Sequence, residues 1–123
     1  MRRAGKIVGN VIDLLKAAVA PGMTTKDLDE IAYKEITRQK AKPTFMGYHG
    51  FPASICTSVN EEIVHGIPGK RILQEGDIVK VDVGATIEGF IGDAAVSLPV
   101  GEVTPEAITL MEDTRISLEE GIR

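Results

Sequence analysis

Cysteine, tryptophan and long apolar runs are almost missing from this sequence. Its 123 residues include one cysteine and no tryptophan. A single cysteine can form neither an internal disulfide nor a cysteine zinc knuckle, which indicates a reducing compartment. No apolar run is long enough to cross a bilayer, and the N-terminus lacks the apolar core and cleavage site of a signal peptide. These absences predict a cytoplasmic protein with no membrane partner.

Basic charge is also scarce. Against 18 Asp and Glu the chain has 14 Lys and Arg, giving a formal net charge of −4. Proteins that bind phosphate backbones usually carry a basic surface, so no nucleic acid partner is expected. Hydrophobic residues make up 43% of the sequence, which is enough for a globular core. The length suits a single domain over residues 1–123.

The hydrophobic pattern predicts two helices, an irregular segment, strands and a final helix. Apolar residues recur at helical spacing over 7–19 and again after Thr24, where Thr24 or Thr25 is the expected N-cap. A segment punctuated by Gly and Pro follows, with a short β-type run at "SICTSV". Two β-rich runs around "EG" predict a hairpin, and a third helical pattern begins at Pro105. This order predicts an α+β fold.

Two aspartates, Asp82 and Asp93, lie in the arms of the predicted hairpin, although aspartate is disfavoured in strands. Depending on the turn, Asp93 lies opposite Asp82 or opposite Gly84, and in both registers the two carboxylates share a face. Hard carboxylate oxygens suit divalent ions such as Mn, Mg, Fe or Co, so the pair is a candidate metal site. The alternative is a solvated face on which Lys80 pairs with Asp82.

Both histidines precede the hairpin, within the segment from Gly47 to Gly69. His65 follows an apolar Ile-Val step and is expected where a strand ends in a tight turn. There it could donate a hydrogen bond to a reacting carbonyl or to a developing oxyanion. The alternative for both His65 and His49 is hydrogen bonding within the loop.

Three of the five aromatic residues cluster around the start of this segment: Phe45, Tyr48 and Phe51. They either line an apolar pocket or anchor the loop on the core. Cys56 has no neighbouring base to activate it and is expected to be a small buried apolar residue.

Several motifs together resemble one enzyme family. The stretches "GYHGFPASICTSVNEEIVHGIP" and "GDIVKVDVG", with a following "GD", are similar to the first catalytic half of the type I methionine aminopeptidases. The N-terminal "MRRAGKIVGNVIDLLKAAVAPGMTTKDLDEIA" resembles the first two helices of that family, so the match runs from about Arg2 to the last residue. It implies half of a duplicated pita-bread fold, with helices on one face of an antiparallel sheet, and truncation of a longer chain.

The resemblance also implies a site. Asp82 would bind one metal ion, Asp93 would bridge two, and His65 would be a catalytic residue that contacts the substrate. The pocket for the methionine side chain would be lined by Phe45, Tyr48 and Phe51. The complete family site holds two divalent ions (Co, Mn, Fe or Zn), but its other ligands lie in a second half. Partial or weak occupancy is therefore expected here. Ile91 stands where many members of the family have histidine.

Two functions remain as hypotheses. The first is metal-dependent removal of the initiator methionine from nascent proteins and peptides, in a site that needs a second half. On this hypothesis the isolated chain is inactive or nearly so. The second is an inactive pita-bread fragment that serves as a binding module. A half-fold would expose the apolar face that normally meets its twin, which suggests a complementary half or self-association.

Overall fold

The chain folds into three helices and a four-stranded antiparallel sheet, described for all 123 residues by a computed structural model. The helices are α1 (Arg2–Ala18), α2 (Thr25–Arg38) and α3 (Pro105–Ile122). The strands are β1 (Lys42–Pro43), β2 (Ile55–Val59), β3 (Ile78–Ile87) and β4 (Phe90–Pro99), and a short 3-10 turn covers Tyr48–Gly50. The three predicted helices, the short strand and the hairpin are all confirmed.

Local sequence explains where α2 begins. Its N-cap Thr24 accepts a hydrogen bond from the backbone N–H of Asp27, and the Asp27 carboxylate accepts one from the Thr24 N–H at 2.7 Å. This reciprocal capping box satisfies backbone donors that a helix start otherwise leaves free. The expectation of an N-cap at Thr24 or Thr25 is settled in favour of Thr24.

The sheet is organised around β3. It pairs with β4 along all ten residues, with β2 through Val79 to Val83, and with β1 through Ala85 and Thr86. The turn from β3 to β4 is Glu88-Gly89, with φ angles of 53° and 79°. Two consecutive positive φ angles are those of the hairpin turn that best fits the twist of the strands. This turn places Asp93 opposite Gly84 rather than opposite Asp82.

Alternate residues of β3 face opposite sides of the sheet. One side, here called the core face, contributes Val79, Val81, Val83, Ala85 and Ile87 to a cluster of 19 buried apolar residues. The apolar side of α1 packs on this face and α2 packs beside it. The other side, here called the site face, carries Ile78, Lys80, Asp82, Gly84 and Thr86.

At its tip the hairpin lies against the first turn of α1. A Cβ placed at Gly92 would be 2.6 Å from the carbonyl carbon of Ala4, closer than side chains approach backbone. Arg3 and Glu88 form an exposed ion pair of 2.6 Å beside this contact. The absence of a side chain at Gly92 therefore allows helix and strand to meet.

The last helix differs from the others. Thr104 caps α3 by accepting from the Ala107 N–H, and Pro105 occupies its first turn. None of its residues is buried, and Ile108, Leu110 and Leu118 are more than half exposed. None of the three helices combines the length and apolar character that crossing a bilayer requires.

Candidate metal and substrate site

Two carboxylates meet on the site face. Asp93 lies opposite Gly84, two residues from Asp82, so the two side chains are diagonal neighbours on adjacent strands. Burial first, and then the negative charge of Asp93, raise the pKa of Asp82, whereas the nearby His65 lowers it. The Oδ1 atom of Asp82 is buried and has no hydrogen-bond partner. A buried acceptor without a donor is costly, which marks this oxygen as a position for a ligand.

This arrangement fits a divalent cation. The strand register brings two negatively charged carboxylates close together. A cation between them would relieve their repulsion and satisfy the free Asp82 oxygen. No third Asp, Glu, His or Cys joins them in a group able to hold a metal ion. The residues present therefore supply part of a coordination shell.

Lys80 does not pair with Asp82, so the ion pair considered for this face is absent. Its Nζ donates to the backbone carbonyls of Asn60 and Glu62, at 2.8 and 2.5 Å. The Asn60 side chain in turn bonds both the N–H of Ile78 and the Asp77 carboxylate. Lys80 thus holds the beginning of the loop that leads to His65, and Asp82 remains without a cationic partner of its own.

The sequence predicts His65 at the end of a strand, and this prediction is wrong. Ile63 and Val64 are exposed and irregular, and His65 itself has a φ of 59°. The residue that follows fixes the loop on β2: the Thr57 N–H donates to the Gly66 carbonyl at 2.9 Å, and the Gly66 N–H donates to Ser58 Oγ at 3.0 Å. His65 therefore reaches the site from a loop tied to the sheet at both ends.

A single cavity of about 550 Å³ brings together the residues that the sequence singled out. Its wall includes both carboxylates, His65 and the three aromatic residues Phe45, Tyr48 and Phe51. All three aromatic residues line the cavity, as the first of the two alternatives predicts, and Phe45 also packs against Gly84 of β3. Tyr48 is the most exposed of the three, whereas Phe45 and Phe51 are half-buried.

Five further residues line this cavity: His49, Gly50, Pro52, Cys56 and Ile67. Cys56 is buried, as predicted, and burial together with Asp82 and Asp93 raises the pKa of its thiol to about 11. It lies opposite Asp82 in the register of β2 and β3, so the alternation of "SICTSV" could have placed it on the site face. Neither His49 nor His65 forms the loop hydrogen bond considered for them. The His49 ring instead packs edge to face on the Tyr48 ring, with 4.4 Å between the two ring centroids.

Comparison with known proteins identifies the family. The model of metallopeptidase family M24 matches residues 1–123. The chain belongs to this family. It is 52% identical to the methionine aminopeptidase of Clostridium acetobutylicum over 123 residues, covering 99% of the chain and 49% of that relative. It is 49% identical to methionine aminopeptidase 1 of Bacillus subtilis, covering all of the chain and 50% of that relative.

Solved structures agree with the sequence comparison. The crystal structure of methionine aminopeptidase from Rickettsia prowazekii superposes with a TM-score of 0.96 at 37% identity, over 98% of this chain and 49% of that one. The Thermotoga maritima enzyme gives 0.94 at 41% identity, again over 98% and 49%. An Xaa-Pro dipeptidase from Bacillus anthracis, at 18% identity and a TM-score of 0.70, shares the fold alone. The pita-bread M24 fold is confirmed, and the chain spans about half the length of the curated relatives it matches.

Proposed function

We propose that this chain provides the substrate-binding half of a metal-dependent aminopeptidase that removes N-terminal methionine from peptides and nascent proteins. The observation that carries the proposal is that Asp82, with a buried oxygen that has no partner, and Asp93 line the same cavity as the three aromatic residues. A cavity of this kind suits an unbranched thioether side chain. The names of the relatives support the same substrate.

Each part of the cavity has a role in this proposal. Asp82 and Asp93 hold divalent ions such as Co, Mn, Fe or Zn, which when bound supply an activated water and polarise the scissile carbonyl. His65 donates a hydrogen bond to the substrate near the reacting bond and stabilises charge that develops there. The methionine side chain lies against Phe45, Phe51 and Tyr48, which exclude water from it.

The remaining metal ligands belong, in this proposal, to protein outside these 123 residues, either a complementary half or a second copy. The length of the relatives supports this, since each is about twice the span of the match. The exposed apolar side chains of α3 support it too, because such surfaces usually meet a partner. Sedimentation over a range of concentrations tests self-association: a monomer throughout would leave the complementary half as the one completing partner.

Metal binding is the decisive test. Calorimetry with Mn²⁺ should give weak binding to the wild-type chain and at least about tenfold weaker binding to Asp82→Asn or Asp93→Asn, since even residues that only orient ligands cost this much. Asp13→Asn, on the exposed side of α1, is the matched control and should change nothing. Equal Mn²⁺ affinity in all four proteins would contradict the metal site.

Activity separates the enzyme from the alternative binding module. With added Mn²⁺ or Co²⁺ the isolated chain should hydrolyse a Met-Gly peptide negligibly, because two carboxylates leave the ions incompletely coordinated. Rapid turnover would refute the incomplete site. Peptide binding that is unchanged by metal and by both Asp→Asn substitutions would favour the binding module.

A further inference from the structure

The residue between the two carboxylates on the site face has no side chain. Gly84 lies opposite Asp93 and two residues along β3 from Asp82. A Cβ built at Gly84 would be 2.7 Å from Cε1 and 3.0 Å from Cζ of the Phe45 ring, and 3.1 Å from Cβ of Thr44. The edge of the Phe45 ring therefore occupies the space that any side chain at this position would need.

The backbone that carries Phe45 is fixed to the same strand. The N–H of Thr44 donates to the carbonyl of Gly84 itself at 3.1 Å, and the hydroxyls of Thr44 and Thr86 share a hydrogen bond of 2.8 Å. Pro43 pairs with Ala85 in β1. Because these contacts prevent the backbone from retreating, the part of Phe45 that can yield to a methyl group at position 84 is its ring. That ring also forms part of the cavity wall.

We propose that Gly84 is a specificity-determining residue: its bare backbone seats the Phe45 ring against β3 and thereby sets the room available to a long, unbranched substrate side chain. This inference rests on the proposed function in one respect, that the cavity receives the side chain of the N-terminal residue. The seating of the ring itself depends only on the packing of Gly84 and Phe45.

A change of one methyl group is large enough to be measured. One methylene in an apolar pocket changes discrimination between substrates by about 10 to 200-fold. An alanine at position 84 displaces the ring from the strand, and the displaced ring takes cavity volume that the end of a long side chain would use. Longer side chains should therefore lose more affinity than shorter ones.

The test is a double-mutant cycle with a graded pair of probes. The amides of L-norleucine and L-norvaline differ by one methylene, and each is titrated into wild type, Gly84→Ala, Phe45→Ala and the double variant by NMR. The ratio of the norleucine to the norvaline association constant should fall about tenfold in Gly84→Ala. It should not change on adding Gly84→Ala to the Phe45→Ala background, where no ring opposes the methyl group.

A matched control and a structure complete the experiment. Gly9→Ala, in α1 with open space at its Cβ, should leave the ratio as in wild type. A crystal structure of Gly84→Ala should show the Phe45 ring displaced. An unmoved ring, or an unchanged ratio in Gly84→Ala, would overturn the proposal. If neither amide binds the wild-type chain, both the methionine pocket and the role of Gly84 in substrate specificity are rejected. A displaced Phe45 ring in Gly84→Ala would then support only the packing of the ring against Gly84.

Discussion

The two faces of β3 use alternate residues of one strand for different purposes. On the core face the alternate residues Val79, Val81, Val83, Ala85 and Ile87 are all apolar and buried, and all belong to one cluster of buried apolar residues. On the site face each residue differs: Lys80 donates to a backbone carbonyl, the Oδ1 atom of Asp82 has no hydrogen-bond partner, and Gly84 leaves room for the Phe45 ring. Hydrophobic residues of suitable size can replace one another on the first face, whereas each position of the second requires its own chemistry.

The largest contrast is expected between neighbouring residues of the strand. Val81→Asp puts an unpaired carboxylate into the core, at a cost of several kcal/mol in a fold whose whole stability is about 5 to 15 kcal/mol. We expect this variant to lose its cooperative urea transition, followed by circular dichroism. Asp82→Asn should keep the transition, because the amide removes a repulsive charge. A cooperative Val81→Asp protein with the wild-type midpoint would show that the two faces do not differ in this way.

Lys80→Met tests whether the site face also organises the loop that bears His65. The substitution keeps the apolar stem but removes two charge-assisted hydrogen bonds, so unfolding free energy should fall by about 2 kcal/mol. Amide exchange should accelerate chiefly between residues 60 and 66. Lys6→Met, on the exposed side of α1, should alter neither quantity. Uniformly faster exchange throughout the sheet would instead assign Lys80 a global structural role.

Two adjacent residues of β2 sharpen the comparison further. Ser58→Ala removes the acceptor of the Gly66 N–H and should cost about 1 to 2 kcal/mol. The hydroxyl of Thr57 is buried without a partner, so Thr57→Val should be neutral or stabilising by up to about 1 kcal/mol. Chemical denaturation of both variants provides the measurement. The same loss in each would mean that the hydrogen bond to Gly66 contributes nothing.

The smallest expected change in stability concerns Asp29, a carboxylate that, unlike Asp82 Oδ1, accepts hydrogen bonds from backbone N–H groups. Asp29 of α2 accepts from the N–H groups of Ser54 and Ile55 at the start of β2. Burial outweighs these bonds and raises the pKa of Asp29 above its ordinary 3.8. The folded state thus binds this proton more tightly than the unfolded chain does. The stability of wild type relative to Asp29→Asn should rise as pH falls from neutral towards 3.8, and fall again as pH rises.

Urea titrations of both proteins between pH 3.5 and 7, the range spanned by the carboxyl equilibrium, measure that difference. A pH-independent difference would show that Asp29 has the same proton affinity in the folded and unfolded chain.

Much of the fold could be read from the sequence because local patterns determine it. The helices follow from apolar spacing and from Thr24, and the strands from β-branched runs around Glu88-Gly89. The shared face of Asp82 and Asp93 followed from the two-residue period of strands. The motifs that resemble a known family predict the cavity residues that the local patterns alone leave open.

The features that the sequence does not predict depend on contacts between distant segments of the chain. The loop before β3 has no periodicity, so the sequence predicts the end of a strand at His65 where the chain follows an irregular path. The sequence offers Asp82, in the same strand, as one partner for Lys80, whereas its partners are carbonyls about 20 residues earlier. The packing of Gly84 under Phe45 joins residues 39 positions apart, and composition gives no sign of it.

The contact between Gly92 and the first turn of α1 has a practical consequence for anyone who handles this protein. Asp93 follows Gly92 directly, so a shift of Ala4, only three residues after Met1, would press on the strand next to this carboxylate. An affinity tag fused ahead of Met1 would begin one helical turn from that contact. Any tag at this end therefore needs a linker that leaves the first turn of α1 free to contact the hairpin.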